Sequence, residues 1–232
     1  MSEGATTPLL NEIRIASGSG SIRVVAEARA DVDAGSSGLV KLEDGVTNVV
    51  GHRNSSNLTV RCPEGSDVVI GTRSGSIELA GRFGAVRAQT MSGKIEIRDA
   101  ATSADIRTMS GALHVAHCTG LCRAKTKSGH AHIESAGAVD VAVGSGRIEV
   151  DHVHGSVRAR TISGSITVVA DGTDGIEAET MSGSIIIELP EDCRPHVRAK
   201  GLSRSADIAL PAGDDIEVVA RTLSGRITVR AR

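Results

Sequence analysis

Small and apolar residues fall two apart on both sides of a recurring Ser-Gly pair. Val86, Ala88 and Thr90 precede Ser92, and Ile95 and Ile97 follow it. The same columns return as Val157, Ala159, Thr161, Ile166 and Val168 around Ser163, and as Val218, Ala220, Thr222, Ile227 and Val229 around Ser224. The residues between them are mostly charged or polar. A period of two is the signature of a half-buried strand. Each unit therefore predicts two short strands joined at a Ser-Gly corner, where glycine accepts backbone angles that a residue with a Cβ does not. About six residues, such as Asp151-His152-Val153-His154-Gly155-Ser156, then turn the chain back with one inward apolar side chain, which makes a third side.

Aligning the corner serines gives Ser19, Ser37, Ser55, Ser74, Ser92, Ser110, Ser128, Ser145, Ser163, Ser182, Ser203 and Ser224, with steps between 17 and 21 residues and mostly 18. A unit of this length cannot bury a core alone, so successive coils must stack at about 4.8 Å per coil. The expectation is an all-β, single-stranded β-solenoid of about 12 coils, with ~18 residues per coil and a thin three-sided cross-section. Its core should be ladders of Ile, Val and Leu, narrowed by an Ala column and closed at the corner by Thr. A coil of this length suits either hand. One Phe and no Trp or Tyr agree with a narrow interior.

The Val-x-Ala-x-Thr-x-Ser-Gly-x-Ile-x-Val unit is clearest from Ile216 to Val229, and it resembles the bacterial DUF4097 family, whose members are often labelled as adhesins. The likeness runs over residues 11 to 232. It implies a solenoid of β-strand repeats and brings no catalytic residues with it. A more distant similarity of architecture connects the chain to bactofilins, β-helical proteins that polymerise end to end.

At 232 residues, without a linker or a break in composition, the chain reads as a short N-terminal tail or flap at 1–10 followed by one solenoid domain at 11–232. No apolar run approaches the ~20 residues of a membrane span. The opening residues lack the basic and apolar regions of a secretory signal, so a cytoplasmic location is expected. Cys62, Cys118, Cys122 and Cys193 are then reduced, and the alternation turns Cys118 and Cys122 inward. Without a Gly-x-Ser-x-Gly elbow, a Walker loop or a His-Glu-x-x-His pair, the many Ser-Gly pairs are corners rather than nucleophiles, and neither enzymatic activity nor a cofactor is expected.

Charge brings candidate surfaces. Net charge is −2, but the strand before the corner carries Arg87, Arg107, Arg123, Lys125, Arg158 and Arg160, interrupted by Asp105, Asp140, Glu177 and Glu179. That ladder could take an anion or a partner protein. Nucleic acid is disfavoured by the net charge and by the lack of stacking aromatics. His114 and His132 fall in one outward column with His130 close by and Glu96 and Glu149 flanking them, a donor set suited to a zinc-like ion. The last strand, with Arg226, Ile227 and Val229, reads as an open terminal edge that would support a homo-oligomer or filament. The expected function is a structural or interaction scaffold that assembles through its ends or charged faces. The alternative is a binding module that uses the basic ladder or the histidines.

Overall fold

The computed structural model describes residues 12–43, 45–51, 57–172, 174–201 and 206–232. The tail at 1–10 and the corners at Ser55 and Ser203 lie outside the described residues. The first strands are β1 (Glu12–Ser19), β2 (Ser21–Glu27), β3 (Gly38–Glu43), β4 (Val46–Gly51) and β5 (Asn57–Pro63). The central run is β6 (Asp67–Ser74), β7 (Ile77–Ala80), β8 (Arg82–Ser92), β9 (Ile95–Ser110), β10 (Leu113–Ser128), β11 (Ala131–Ser145), β12 (Ile148–Val153), β13 (Val157–Ser163), β14 (Ile166–Ala170), β15 (Gly175–Ser182) and β16 (Ile185–Leu189). The chain finishes with β17 (Pro195–Gly201), β18 (Ala206–Ile208), β19 (Ile216–Ser224) and β20 (Ile227–Ala231).

The protein is an all-β solenoid. From Ser74 to Ser182 each coil lies parallel on the next, with shifts of register near Cys118 and Val153 on the third side and the corners aligned, so that Ser74, Ser92, Ser110, Ser128, Ser145, Ser163 and Ser182 form one ladder. Inward residues stack as the alternation predicts. Ile77, Ile95, Leu113, Ala131, Ile148, Ile166 and Ile185 make one buried column after the corner. Before the corner, Ala88, Ile106, Ala124, Val141, Ala159 and Ala178 make a narrower one. Phe83, Ala101, Cys118, Ala136, Val153 and Ala170 line the third side. Small residues on two sides against Ile and Val on the other keep the cross-section thin. The corner is plugged by buried threonines, several of which donate to the carbonyl two residues on, as Thr126 does to Ser128 at 3.1 Å.

Both ends depart from coil-by-coil order. β1 and β2 pair with β6 and β7 on one side and with β4 and β5 on the other, so the coil built from β4 and β5 lies outside the one that precedes it in sequence. Ser37 is not a solenoid corner. It ends a 3-10 turn (Gly35–Ser37) that leads into β3, which runs antiparallel along the free edge of β4. Asp33 bridges Arg61 on β5, and Ala34 is buried, so residues 29–43 form a cap over this end.

At the other end β15 and β16 pair with β19 and β20, which in turn pair with β17 and β18. The last strand is therefore enclosed. Ile227 and Val229 are buried between β16 and β18. This corrects the expectation that Arg226, Ile227 and Val229 sit on an open terminal edge. The outermost coil is instead made by β17 and β18. Pro195, the charged Arg198 and Lys200, and a β18 of three residues leave that end a poor template for another strand.

The four cysteines are free thiols. Cys118 and Cys122 are buried in the core as the alternation requires, and burial pushes the Cys62 thiol up to about 11. Only Cys193 is partly exposed. A thiol reagent should accordingly modify one cysteine per native chain and all four after unfolding. Modification of two or more in the native protein would show that the coils around Cys62 or Cys118 open locally.

Candidate functional site

The strands before the corner show two outward columns of charge. In the first, Arg87 lies beside Asp105, Asp105 beside Arg123, Arg123 beside Asp140, Asp140 beside Arg158, and Arg158 beside Glu177. The sign alternates from coil to coil, which stabilises a ladder whose strands are only ~4.8 Å apart. The second column runs Arg107, Lys125, Ala142, Arg160, Glu179, Arg221 and Lys200. The six basic residues expected to act as one ladder are thus divided: Arg87, Arg123 and Arg158 belong to a balanced column, and Arg107, Lys125 and Arg160 to a mainly basic one.

Ion pairing divides them again. Arg158 donates to Glu177 at 2.7 Å, and Arg160 lies 3.2 Å from Glu179. Arg221 bonds to Glu179 and stands 3.5 Å from Glu177. The hydrogen bond from Arg158, with Arg160 and Arg221 close by, holds the Glu177 carboxyl below the usual carboxylate range. Among the described residues no carboxylate lies within ion-pairing distance of Arg123, Lys125 or Lys127. The charges of Lys125 and Lys127 face solvent around a shallow depression of about 470 Å³, whose lining also includes Arg107, Ala142, Gly144, Arg160 and Ile162. The depression exists because the Ser145 coil places Ala142 and Gly144 where its neighbours carry Lys125, Lys127, Arg160 and Ile162.

An adjacent row was not anticipated. Among the described residues of the Ser-Gly corners from Ser74 to Ser224, the one just before the serine lies on the outside, and in five coils it is Met91, Met109, Ile162, Met181 or Leu223, each 50–60% exposed. The paired Thr and Ser residues on either side put Met91 next to Met109 and Ile162, Met181 and Leu223 in sequence along the rod. The signal was present in the sequence as the x of Thr-x-Ser-Gly. A second depression of about 490 Å³ runs along this row between Met181, Leu223, Lys200 and Arg221.

On the strands after the corner, register stacks Glu96, His114, His132 and Glu149 as expected. The imidazoles of His114 and His132 are tilted by 33°, with centroids 5.2 Å apart. Glu96 stands 3.8 Å from His114 Nδ1, but the nearer carboxylates are two that were not expected. His114 Nε2 lies 2.7 Å from Glu134 Oε1, and His132 Nε2 lies 3.0 Å from Asp151 Oδ2. Glu149 turns to Arg147 at 3.2 Å, Glu96 is 3.0 Å from Lys94, and His130 is exposed at the bend before β11.

Residues 131–227 match the family described as Toastrack DUF4097. That stretch is DUF4097 sequence. The coils of this stretch continue back to Ser74 through the paired strands already described, with the corner serines aligned. Among solved structures, an adhesin described as putative from Bacteroides fragilis is similar at 14% identity, over 94% of this chain and 91% of that one, with a TM-score of 0.49. A cell adhesion protein from Clostridium sporogenes, with the same qualifier, aligns at 8% identity over 96% and 92% of the two chains, with a TM-score of 0.23. No curated protein matches the chain.

Proposed function

We propose that this DUF4097 solenoid is a non-enzymatic interaction scaffold that holds a partner protein along the corner row from Met91 to Leu223. The observation that carries this reading is the exposure of Met91, Met109, Ile162, Met181 and Leu223 along one corner of the solenoid, whereas the other exposed large apolar residues, Leu39, Val40, Leu42, Val50 and Ile208, belong to the terminal strands β3, β4 and β18. Contiguous exposed apolar surface marks an interaction site, and methionine adapts to partners of varied shape. Lys127 and Gly144 interrupt the row between Met109 and Ile162, and Lys125, Arg160, Arg221 and Lys200 border it. The partner segment that fits is extended, apolar along one edge and acidic beside it. The rigid register of the coils fixes the spacing of these anchors in advance, so binding orders the partner rather than the scaffold.

Proximity crosslinking with quantitative mass spectrometry, comparing the wild-type chain with a Met181→Glu/Leu223→Glu variant, tests the reading. Both side chains are exposed, so the variant should keep the wild-type melting temperature and sedimentation behaviour. Specific loss of one or a few crosslinked proteins is the expected result. An identical crosslinking profile with the variant would exclude the row as the binding surface.

A further inference from the structure

On the face formed by the strands after the corner, we propose that His114, His132 and Glu134 bind one divalent transition-metal ion of the zinc class. One ligand atom from each of the three already lies within 4.8 Å of the other two. A tetrahedral ion with bonds of ~2.0–2.2 Å needs its ligands about 3.4 Å apart. The site closes with side-chain rotations alone.

The β-ladder explains how the donors converge. β10 and β11 are parallel and in register, so His114 and His132 stand on neighbouring coils in one column. Glu134 belongs to the next column along β11, opposite Ala116, between the paired Val115–Ile133 and His117–Ser135 positions. Because alanine leaves that place on β10 empty, the Glu134 carboxylate leans across to His114, which it reaches at 2.7 Å. A longer residue at position 116 would block it. Two imidazoles and one carboxylate form an intermediate donor set that suits zinc, copper or nickel better than calcium or magnesium. Two further carboxylates stand behind the donors. Glu96 Oε1 is 3.8 Å from His114 Nδ1, on the ring edge opposite Glu134, where it would favour the tautomer that leaves Nε2 free. Asp151, 3.0 Å from His132 Nε2, is placed either to orient that ring or to move in as a fourth ligand. All five side chains project from the outer surface of a continuous sheet, so the site is preformed by the fold and open to solvent on one side.

The inference is independent of the corner row, which lies on another face. It is tested by titrating the full, metal-free chain with Zn²⁺ against a chromophoric chelator, alongside His114→Gln, His132→Gln and Glu134→Gln variants and a His196→Gln control. One ion per chain is expected, with each of the three variants weakening binding about tenfold or more and the control leaving it unchanged. Co²⁺ should give the visible absorption of a four-coordinate ion in the wild type and lose it in His132→Gln. The variants alter only partly exposed side chains, and unchanged circular dichroism confirms that they are folded. Equal zinc affinity in the wild type and in the His114→Gln and His132→Gln variants would overturn the assignment, as would binding of no ion.

Discussion

Gly146→Ala should be among the most destabilising single substitutions in this protein, lowering stability by about 4 kcal/mol or more. Gly146 has φ +138, and a Cβ placed on it would lie 1.8 Å from the carbonyl oxygen of Gly129 in the neighbouring coil. That oxygen is backbone and cannot rotate away. The same corner carries the hydrogen bonds that hold successive coils together, with Gly129 N–H donating to Ser145 at 3.0 Å and Gly146 N–H donating to Ser163 at 2.9 Å. Relief of the clash requires the coils to separate, which breaks these bonds and opens the core ladders on both sides. Two control substitutions isolate the cause. Gly172 has φ +152 and nothing within 4 Å of its Cβ position, so Gly172→Ala meets backbone strain alone, about 1–3 kcal/mol. Gly71 sits in a strand with open space around it, and Gly71→Ala should change stability by no more than about 0.5 kcal/mol. Thermal unfolding followed by circular dichroism should rank the melting temperatures wild type and Gly71→Ala first, Gly172→Ala next and Gly146→Ala far below. Equal melting temperatures for Gly146→Ala and Gly172→Ala would show that close approach at the corner is not what requires glycine.

This corner was legible in the sequence because stacking repeats one physical constraint at every coil. The alternation that buries Val86, Ala88, Ile95 and Ile97 is likewise written once per unit, so the strands, the three sides and the inward cysteines follow from pattern alone. The order of the coils is not written that way. Each coil presents nearly the same two edges and the same ladders, so a coil built from β4 and β5 pairs as well outside β1 and β2 as after them, and no periodic pattern distinguishes the two. What marks the displaced coils is departure from the pattern. Their corners read Ser55-Ser56 and Ser203-Arg204 where the interior coils have Ser-Gly, and the steps on either side of Ser203 lengthen to 21 residues. Longer connections are what a chain needs to pass over a neighbouring coil and return.

Candidate sites divide along the same line. The pairing of His114 with His132 follows from an 18-residue step, whereas the approach of Glu134 depends on the vacancy above Ala116, a property of side-chain volume on another strand. The basic residues illustrate the converse. Counted along the chain they form a stripe, but placed in register Arg87, Arg123 and Arg158 alternate with Asp105, Asp140 and Glu177, and only the column through Arg107 and Lys125 keeps a surplus of charge.

The displaced order makes a prediction that a coil-by-coil rod would not. Ile227→Pro removes a backbone donor and a buried side chain from β20, which should cost about 3 kcal/mol or more locally. If β20 were the free edge, the damage would be confined to it. In this fold Ile227 is paired with Ile185 on one side and Ala206 on the other, so among the described residues β19 and β20 are the strands through which the outermost coil pairs with the body of the solenoid. Hydrogen exchange should therefore show lost protection in β17 and β18 as well as in β19 and β20, while β6 to β14 remain as slow as in the wild type, because stacked coils exchange stability only with their neighbours. Arg230 would also lose its hydrogen bonds to Glu188, which help fasten β20 to β16. Retained protection of β17 in Ile227→Pro would mean that the outer coil has a second attachment and that the enclosed position of β20 does not control the end of the rod.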